Sequence, residues 1–570
     1  MKTTEFVNIC NKLFRENNIQ IGVSIFATLV AIFALMKKKD ILISKLNTSI
    51  EEDVDLVKNE LRNNSEIYAG LFADSVDFVN RNKIDRIYSI IKTEYAKFEF
   101  LENDFSSLVF EKILGDGRSS AYCFSLNENV IFKEIVKWLA NNRKDHAAYC
   151  VDSHMVNDLD LLKDYANSIS VKGNFDTVDL KKLIALINGI EVTFDEGMLD
   201  YSQLMVNPNR EHYSMGLSLP VFGVTNGPLR SECVILEHLM STVEGRFAII
   251  MPLAFCTNIS RNYTFLKERL VKNGILKSVI RLPLKMMTNT AISTVVLLCD
   301  TRSSELSHNI SFIDLSNNFK NEKESKKFLT VLSDDARKIM SDVLFNNKFD
   351  STSVKVVEQF EIEKENWNLD PSRYVVDDAV TEAIRKLNTN ENTVKLSDIA
   401  EIIRIQPIKS DKEGNSYFEI GCSNINEFGF IDSSSKELTL AEDSKYLKYL
   451  LQEKDIIFSI KGTIAKIGLV LPKQKNYFAN QSFVIIRAKD KNWSQEYIFQ
   501  QLMSKNMQLY IKTFSTGDFI QSLPIDKLKN LLLEIPTAKK QEESSKKLQK
   551  QLEIINKIEE LKKELLELFE

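Results

Sequence analysis

The middle of the chain alternates between two kinds of sequence, and this alternation limits the possible folds more than any other feature. Between about residues 120 and 320, short apolar runs are separated by stretches with helical spacing. The runs lie at 147–151, 168–171, 201–206, 247–253, 278–283 and 293–299. Strands that alternate with helices form a mostly parallel sheet with helices on both faces. The sequence therefore predicts a doubly wound α/β domain at residues 119–330.

The segment before this domain is predicted to be helical. From residue 40 to about 115, apolar residues recur at helical spacing with almost no Gly or Pro, which defines an N-terminal helical domain over residues 1–118. An apolar run at 21–36 ends in Lys37, Lys38 and Lys39. It has about 16 residues, whereas a bilayer core requires about 20. We therefore predict a buried core helix, with a membrane anchor as the alternative.

The sequence pattern changes again after the α/β domain. A polar stretch at 331–392 is interpreted as a linker, and short strands broken by turn residues predict a separate α+β module at 393–537. Residues 538–570 lack Gly and Pro and carry Leu548, Leu552 and Ile555 at three- and four-residue steps. This pattern is typical of a long amphipathic helix that pairs in a coiled coil.

Composition excludes several classes of protein. A net charge of -5 does not suit a uniformly basic nucleic-acid coat, although one domain could still carry a positive face. Seven cysteines without a C-x-x-C pair indicate reduced thiols, a cytoplasmic protein and no structural metal site. Only 18 glycines occur in 570 residues, which argues against a glycine-rich cofactor loop.

Several motifs of the middle domain occur in a recognisable order. Asn207-Pro208 is followed by Glu244–Pro252, and downstream lie Ile310–Ser316 and Asn366–Tyr374. Over roughly residues 100–376 these segments resemble the modification subunit of type I restriction-modification systems, an N6-adenine DNA methyltransferase. The resemblance implies a Rossmann-like domain that takes a methyl group from S-adenosylmethionine and flips the target adenine out of the duplex.

The same resemblance implies where the site residues lie. Asn207 and Pro208 would be the catalytic remnant, and Tyr122 and Asp152 would lie at the donor site. The family's glycine turn is missing, because no glycine occurs between Gly117 and Gly173. The catalytic tetrad N-P-P-F/Y reads Asn207-Pro208-Asn209-Arg210.

These departures favour a degenerate methyltransferase fold kept as a scaffold or DNA clamp. An active enzyme with an altered donor site and a wrong fold assignment are the alternatives. By itself, Asp152 is more typical of a solvated turn residue, and His154 and His212 of surface histidines.

The C-terminal module carries a second set of motifs. It opens with Val394–Ile403 and continues with Leu451–Gly468, Asn480–Ser482 and Thr516–Ile520. This unit resembles a single target-recognition domain of the type I specificity subunit, with its spacer helix. The residues expected to contact DNA are Lys461, Gly462, Thr463, Lys466, Asn480, Gln481 and Ser482. The alternative is that the glycines are strand turns and Asn480-Gln481 a structural cap.

Together the two resemblances predict a sequence-specific DNA-binding protein without methyl transfer, acting as target sensor in a prokaryotic DNA-defence assembly. The expected partners are double-stranded DNA, a second copy through the C-terminal helix, and a separate nuclease or motor subunit. No cofactor is expected, and S-adenosylmethionine would be required only by an active enzyme. The rival hypotheses are an active N6-adenine DNA methyltransferase and a scaffold that does not bind DNA.

Overall fold

The structure is a computed structural model of the 570-residue chain. It describes residues 2–17, 21–39, 50–61, 78–100, 104–116, 129–173, 175–195, 199–206, 212–226, 229–286, 292–302, 309–324, 327–376, 385, 392–431, 434, 436–471, 476–489, 493–512, 514 and 522–567. The chain divides into two compact units, Met1–Val375 and Val376–Glu570.

The first unit begins with helices, as predicted. They are α1 (Lys2–Glu16), α2 (Val23–Lys38), α3 (Ile50–Leu61), α4 (Phe78–Tyr95), α5 (Asp104–Asp116) and α6 (Asn129–Ala140). The apolar run forms α2, in which every residue from Phe26 to Phe33 is at most 3% exposed. The prediction of a buried helix is confirmed. Within the described residues, no helix combines the length and apolar character needed to span a bilayer.

The three lysines after the apolar run bind backbone carbonyls of other segments. Lys37 donates to the Phe100 carbonyl, Lys38 to that of Ile187 at 3.3 Å, and Lys39 to that of Leu56 at 3.2 Å. These contacts tie the C-terminal end of α2 to neighbouring parts of the unit.

A nine-stranded sheet follows, which confirms the predicted α/β class. Its strands are β1 (His146–Val151), β2 (Ala166–Lys172), β3 (Thr193–Asp195), β4 (Tyr213–Ser218), β7 (Val243–Pro252), β8 (Leu276–Arg281), β9 (Thr294–Asp300), β10 (Asn309–Asp314) and β13 (Val354–Glu358). The order is β13-β10-β8-β9-β7-β4-β1-β2-β3. The pairs among β1–β4, the β4–β7 pair and the β8–β10 pair are parallel, whereas β9 and β13 run antiparallel to their neighbours.

The remaining elements of this unit cover the sheet or project from it. They are α7 (Asp158–Leu162), α8 (Phe175–Asn188), α9 (Tyr201–Val206), β5 (Thr225–Asn226), β6 (Leu229–Arg230), α10 (Ser231–Thr242), α11 (Leu253–Thr257), α12 (Arg261–Lys272), β11 (Phe319–Glu324), β12 (Lys327–Leu332), α13 (Asp334–Asn346), α14 (Gln359–Lys364) and a 3-10 helix (Pro371–Arg373). The segment 331–392, interpreted from sequence as a linker, thus contributes α13 and the edge strand β13 to the first unit.

The two faces of the sheet bury different clusters. Along β7, Ala248 and Ile250 pack with α2 and the other N-terminal helices. Phe247, Ile249 and Met251 point the opposite way and pack with residues of α10–α12. This period of two is the expected consequence of strand geometry.

One predicted strand of the first unit is wrong. Residues 201–206 form the short helix α9, not a strand. Asp200 begins the helix by accepting bonds from the Ser202 amide at 2.9 Å and the Ser202 hydroxyl at 2.6 Å. A short apolar run is compatible with either structure, and the capping aspartate was the signal that could have decided between them.

The second unit contains the predicted α+β module. Its strands are β14 (Thr393–Lys395), β15 (Ala400–Arg404), β16 (Asn415–Ile420), β17 (Glu437–Leu440), β18 (Ile456–Ser459), β19 (Ile467–Leu469), β20 (Tyr477–Ala479), β21 (Phe483–Ala488) and β22 (Leu532–Glu534). Its helices are α15 (Leu396–Ile399), α16 (Gln495–Met503), α17 (Lys505–Lys512), α18 (Ile525–Lys529), α19 (Ala538–Glu567) and 3-10 helices at Cys422–Asn424 and Leu447–Tyr449. The main sheet has the order β15-β21-β18-β19 and lies between two apolar clusters.

The predicted C-terminal helix is α19, and its first half packs on its own unit. Leu548 is 7% exposed and, with Leu552 and Ile555, joins the apolar cluster around β18 and α16. The Gln500 amide donates to the Gln551 side chain at 2.8 Å.

Candidate functional site

The first candidate site is the turn after β1, where the carboxyl ends of β1 and β4 lie side by side. The two strands pair in parallel from Ala148 opposite Met215 to Cys150 opposite Leu217. Ligands of doubly wound sheets bind at such carboxyl ends. The chain leaves β1 at Asp152, whose φ of 45° lies in the left-handed region that Asp tolerates better than most residues.

The Asp152 carboxylate contacts groups of the protein itself through both of its oxygens. It accepts a hydrogen bond from the Tyr201 hydroxyl at 3.0 Å and one from the Val221 amide at 3.4 Å. Its other oxygen lies 3.2 Å from His154 Nε2. One side chain therefore joins β1, α9 and the loop after β4.

Backbone bonds close the same turn. The Asp152 amide donates to the Lys172 carbonyl at 2.7 Å, and the His154 amide donates to the Leu219 carbonyl at 2.9 Å. These bonds attach the turn to the ends of β2 and β4, its two neighbours in the sheet.

The described residues of this turn do not fit S-adenosylmethionine, the methyl donor that the resemblance implies. From Asp152 to Met155 no residue is more than 3% exposed, so no backbone there is open to a ligand. Ser153 Oγ is buried and has no hydrogen-bond partner in the described part of the chain. A glycine turn would offer open backbone amides, whereas this one is filled by side chains.

Two expectations drawn from sequence at this turn were wrong. Asp152 and His154 were expected to face solvent, and both are buried, at 0% and 3% exposure. Tyr201, whose hydroxyl donates to Asp152, lies 49 residues further along the chain, and no local pattern indicates that contact. His212 does lie at the surface as expected, with a 57% exposed side chain beside Glu244.

Three predicted site residues lie outside the described residues. They are Tyr122 at the expected donor site and Asn207 and Pro208 at the catalytic position. Helix α9 ends at Val206, directly before Asn207.

A buried aromatic pair lies on the same two strands, with Tyr149 on β1 and Tyr213 on β4. The Tyr149 and Tyr213 rings stack with centroids 4.3 Å apart, and the Tyr149 hydroxyl lies 3.1 Å from His238 Nε2. Burial lowers the pKa of His238 to about 4, so its imidazole is neutral at physiological pH.

The second candidate site is the turn that joins β18 to β19. Lys461, Gly462 and Thr463 are exposed and Lys466 is half-buried. Gly462 has φ 76° and open space where a Cβ would stand. Ile464 and Ala465, by contrast, are buried in the apolar cluster and anchor the turn.

The structure brings the other predicted contact segment beside this turn. The Ile460 amide donates to the Ser482 carbonyl at 2.7 Å, directly after Ser459 pairs with Phe483. Gln481 is exposed, whereas Asn480 and Ser482 are half-buried. The seven residues predicted from sequence for DNA contact thus lie on two adjoining turns.

Asn480 has a structural role on this surface. Its side-chain oxygen accepts from the Ser482 amide at 2.9 Å and its backbone carbonyl from the Phe483 amide at 3.1 Å. This is the capping arrangement that was the alternative for Asn480, and it uses the oxygen that would otherwise read a base.

A third segment lies beside the two turns, and the sequence analysis did not predict it as part of this surface. The 3-10 helix Cys422–Asn424 follows β16, and the Asn480 amide donates to the Ile420 carbonyl at 3.0 Å. Burial raises the pKa of the Cys422 thiol, and the Lys466 ammonium opposes that shift, which reflects their proximity. Residues 421–424, 460–466 and 480–482 are called the recognition rim below.

An ion pair supports the strands beneath the rim. Arg487 on β21 donates twice to Asp455, at 2.8 and 2.7 Å, and Asp455 is 1% exposed. The bidentate geometry orders the start of β18. Among the described residues, no three His, Cys, Asp or Glu side chains converge as ligands for a metal ion.

Family models match two segments of the chain. Residues 229–383 match the N-6 DNA methylase family, and residues 388–568 match the type I restriction-modification DNA specificity domain. The chain therefore joins an N-6 DNA methylase segment to a type I specificity domain, the fused architecture that the motifs predicted.

Solved structures resemble the chain at low sequence identity. A type I restriction-modification methyltransferase subunit from Streptococcus thermophilus is 15% identical, covers 61% of this chain and 80% of its own, and has a TM-score of 0.46. The type IIG restriction endonuclease BpuSI is 12% identical, with 92% and 72% coverage and a TM-score of 0.46. A chain from a type I restriction-modification assembly is 13% identical, with 67% and 99% coverage and a TM-score of 0.43. The search of curated proteins gave no match.

Proposed function

We propose that this protein is a sequence-specific DNA sensor that binds double-stranded DNA through the recognition rim and does not transfer methyl groups. The observation that carries the proposal is the rim itself, where Lys461, Gly462, Thr463 and Gln481 are exposed on adjoining turns of a specificity domain. Ammonium groups suit phosphates, and amide side chains suit base edges.

The charge of the module supports binding through a few well-placed contacts. Residues 393–536 carry 19 basic and 17 acidic side chains, a net charge of about +2. The overall electrostatic attraction of this module for DNA is therefore weak. Its affinity for DNA must come from the lysines that the rim holds in place.

The closed turn after β1 supports the absence of methyl transfer. The buried carboxylate of Asp152 and the buried side chains beside it fill the position where a donor would approach. The N-6 methylase match begins at residue 229, after this turn and after Asn207-Pro208. The first unit would then act as a clamp or scaffold for the bound duplex.

The proposal extends to assembly. Two copies pair through α19 so that a bipartite site is read, and a separate nuclease or motor subunit supplies the response in a cytoplasmic DNA-defence system. Support for the pairing comes from Ile554, Ile558 and Leu561 of α19, which are exposed at four- and three-residue spacing.

Salt-dependent DNA binding tests the proposal. The full chain should bind duplex DNA, and Lys461→Ala with Lys466→Ala should weaken binding and reduce the slope of log K against log salt by roughly 2, about 0.9 for each lost phosphate contact. Fluorescence anisotropy over a salt series measures both quantities. Lys489→Ala, whose ammonium donates to the Ser397 carbonyl at 2.6 Å, is the matched control. A wild-type chain that shows no salt-sensitive binding would support the scaffold hypothesis instead.

A further inference from the structure

We propose that Ser459 is a positioning residue of the recognition rim, because its buried hydroxyl holds residues 463–466 of the turn in the shape that presents Lys466 to DNA. The inference rests on the proposed DNA-binding function. It assigns the affinity of the rim in part to a residue that is itself inaccessible to DNA, since Ser459 is 0% exposed.

The Ser459 hydroxyl uses both its donor and its acceptor capacity across the turn. It donates to the Thr463 carbonyl and accepts from the Lys466 amide at 2.8 Å. The Ser459 backbone adds a bond from its amide to the Lys466 carbonyl at 2.9 Å and accepts one from the Ala465 amide at 3.2 Å. All four bonds end on residues 463–466.

The backbone of this turn needs such support. Gly462 and Ala465 both have left-handed φ values, 76° and 59°. For alanine this conformation is strained, so the surroundings must hold it. The buried Ala465 side chain contributes on the apolar side, and the Ser459 hydroxyl satisfies the polar groups on the other.

Other hydrogen bonds hold the beginning of the turn, whereas the hydrogen bonds of residues 463–466 end on Ser459. Lys461 bridges to Ser522, the Leu523 amide donates to the Ile460 carbonyl at 2.9 Å, and Ile460 is tied to Ser482. These bonds involve residues 460 and 461. The Thr463 carbonyl and the Lys466 amide both bond to the Ser459 hydroxyl.

Loss of the hydroxyl should therefore loosen the turn without removing a group that touches DNA. The Thr463 carbonyl and Lys466 amide would lose a partner, and the second half of the turn would sample other shapes. A lysine that must be ordered on binding contributes less affinity than one already in place.

The test compares Ser459→Ala with Ser494→Ala in the full chain, with a fluorescently labelled random-sequence duplex as the probe. Ser494 is the N-cap of α16 in the same unit, and its hydroxyl accepts from the Tyr497 amide at 3.3 Å. Both variants should lose stability to a similar extent, because each removes one hydroxyl that bonds to the backbone. Only Ser459→Ala should raise the Kd, by about tenfold, and lower the salt slope by roughly 1, because one phosphate contact is weakened.

Two further measurements separate positioning from general destabilisation. Hydrogen exchange should accelerate at residues 463–466 in Ser459→Ala and stay at the wild-type rate there in Ser494→Ala. Ser459→Thr keeps the hydroxyl and should recover most of the affinity. Ser459→Cys keeps the volume and should behave like Ser459→Ala, which preserves the test if the alanine variant does not fold.

The outcomes distinguish this inference from the function on which it rests. If the wild-type chain binds DNA and the two lysine variants weaken it, but Ser459→Ala matches the wild type in Kd and slope, the positioning role is overturned and the DNA-binding function stands. Equal losses in Ser459→Ala and Ser494→Ala also overturn it. If the wild-type chain does not bind DNA, both proposals fall.

Discussion

At the scale of single residues, Asp152 decides what the carboxyl end of β1 can do. The family that the chain resembles has an open glycine turn here, and this chain has a buried carboxylate with three protein partners. A buried carboxylate is stable only when its hydrogen bonds are satisfied, so the cluster must form as a unit. The residue that fills the turn also stabilises it.

The Asp152 cluster predicts a large difference between two neighbouring substitutions. Asp152→Ala leaves the Tyr201 hydroxyl and Val221 amide without their acceptor and should cost roughly 2–4 kcal/mol of unfolding free energy. Ser153→Ala removes a buried hydroxyl that has no partner in the described residues and should change stability by less than about 0.5 kcal/mol. Urea unfolding of both full-length variants measures the difference. Equal stability of the two variants would show that the Asp152 bonds are not stabilising.

The position of Asp152 could be found from sequence, but its environment could not. A strand that ends in Asp is visible in the local pattern, and so is the missing glycine. The burial of Asp152 depends on Tyr201, which follows β3, and on Val221, which follows β4. Ser459 is a similar case, since nothing in the run SIKGTIAKIG marks its hydroxyl as the link across the turn.

At the scale of elements, α2 illustrates a correct argument from length. Sixteen apolar residues are too few to cross a bilayer but suit a core helix, and α2 is buried between other helices of the first unit. The lysine run, which resembles a cytoplasmic flank, instead binds the carbonyls of Phe100, Ile187 and Leu56. Sequence alone could not distinguish these two uses of a basic turn.

Helix α19 carries two apolar stripes, which the spacing of apolar residues in the sequence does not distinguish. Leu548, Leu552 and Ile555 pack on the second unit, whereas Ile554, Ile558 and Leu561 are exposed roughly a third of a turn away around the helix. Removing residues 546–570 would delete both stripes and disturb the folded unit. Point substitutions in the exposed stripe test pairing without that complication.

The exposed stripe of α19 predicts that a double substitution separates two copies of the chain. Ile558→Lys with Leu561→Lys should convert a dimer into a monomer, because charges do not pack in an apolar seam. Sedimentation of the full chain over a concentration series measures the mass. Asn556→Lys, on an exposed position outside the stripe, is the control and should stay dimeric. A wild-type chain that is already monomeric at all concentrations would contradict the pairing.

At the scale of the whole molecule, the two units differ in what they offer a ligand. In the first, the turn after β1 is buried, and the second has a rim of exposed turns. The sequence matches divide at nearly the same place as the compact units, with family segments ending at 383 and beginning at 388. DNA binding and methyl transfer can therefore be tested separately on one chain.

The buried turn after β1 predicts that the full chain does not bind S-adenosylmethionine. Calorimetric titration should give no saturable heat, since the residues at 152–155 are inaccessible. The same preparation should bind duplex DNA, which shows that it is folded and functional. Saturable binding with a micromolar Kd would overturn the proposed loss of methyl transfer and restore the active enzyme as the better hypothesis.

The sequence by itself determined the fold class, the two family segments and the positions of the turns, because these follow from periodicity, turn residues and motifs that are local in the chain. Tertiary structure decided which turn is open and which is closed. Asp152 and Lys461 both follow a buried strand, yet one is covered by residues distant in sequence and the other is not. Exposure is a property of packing between distant segments, so no local pattern can report it.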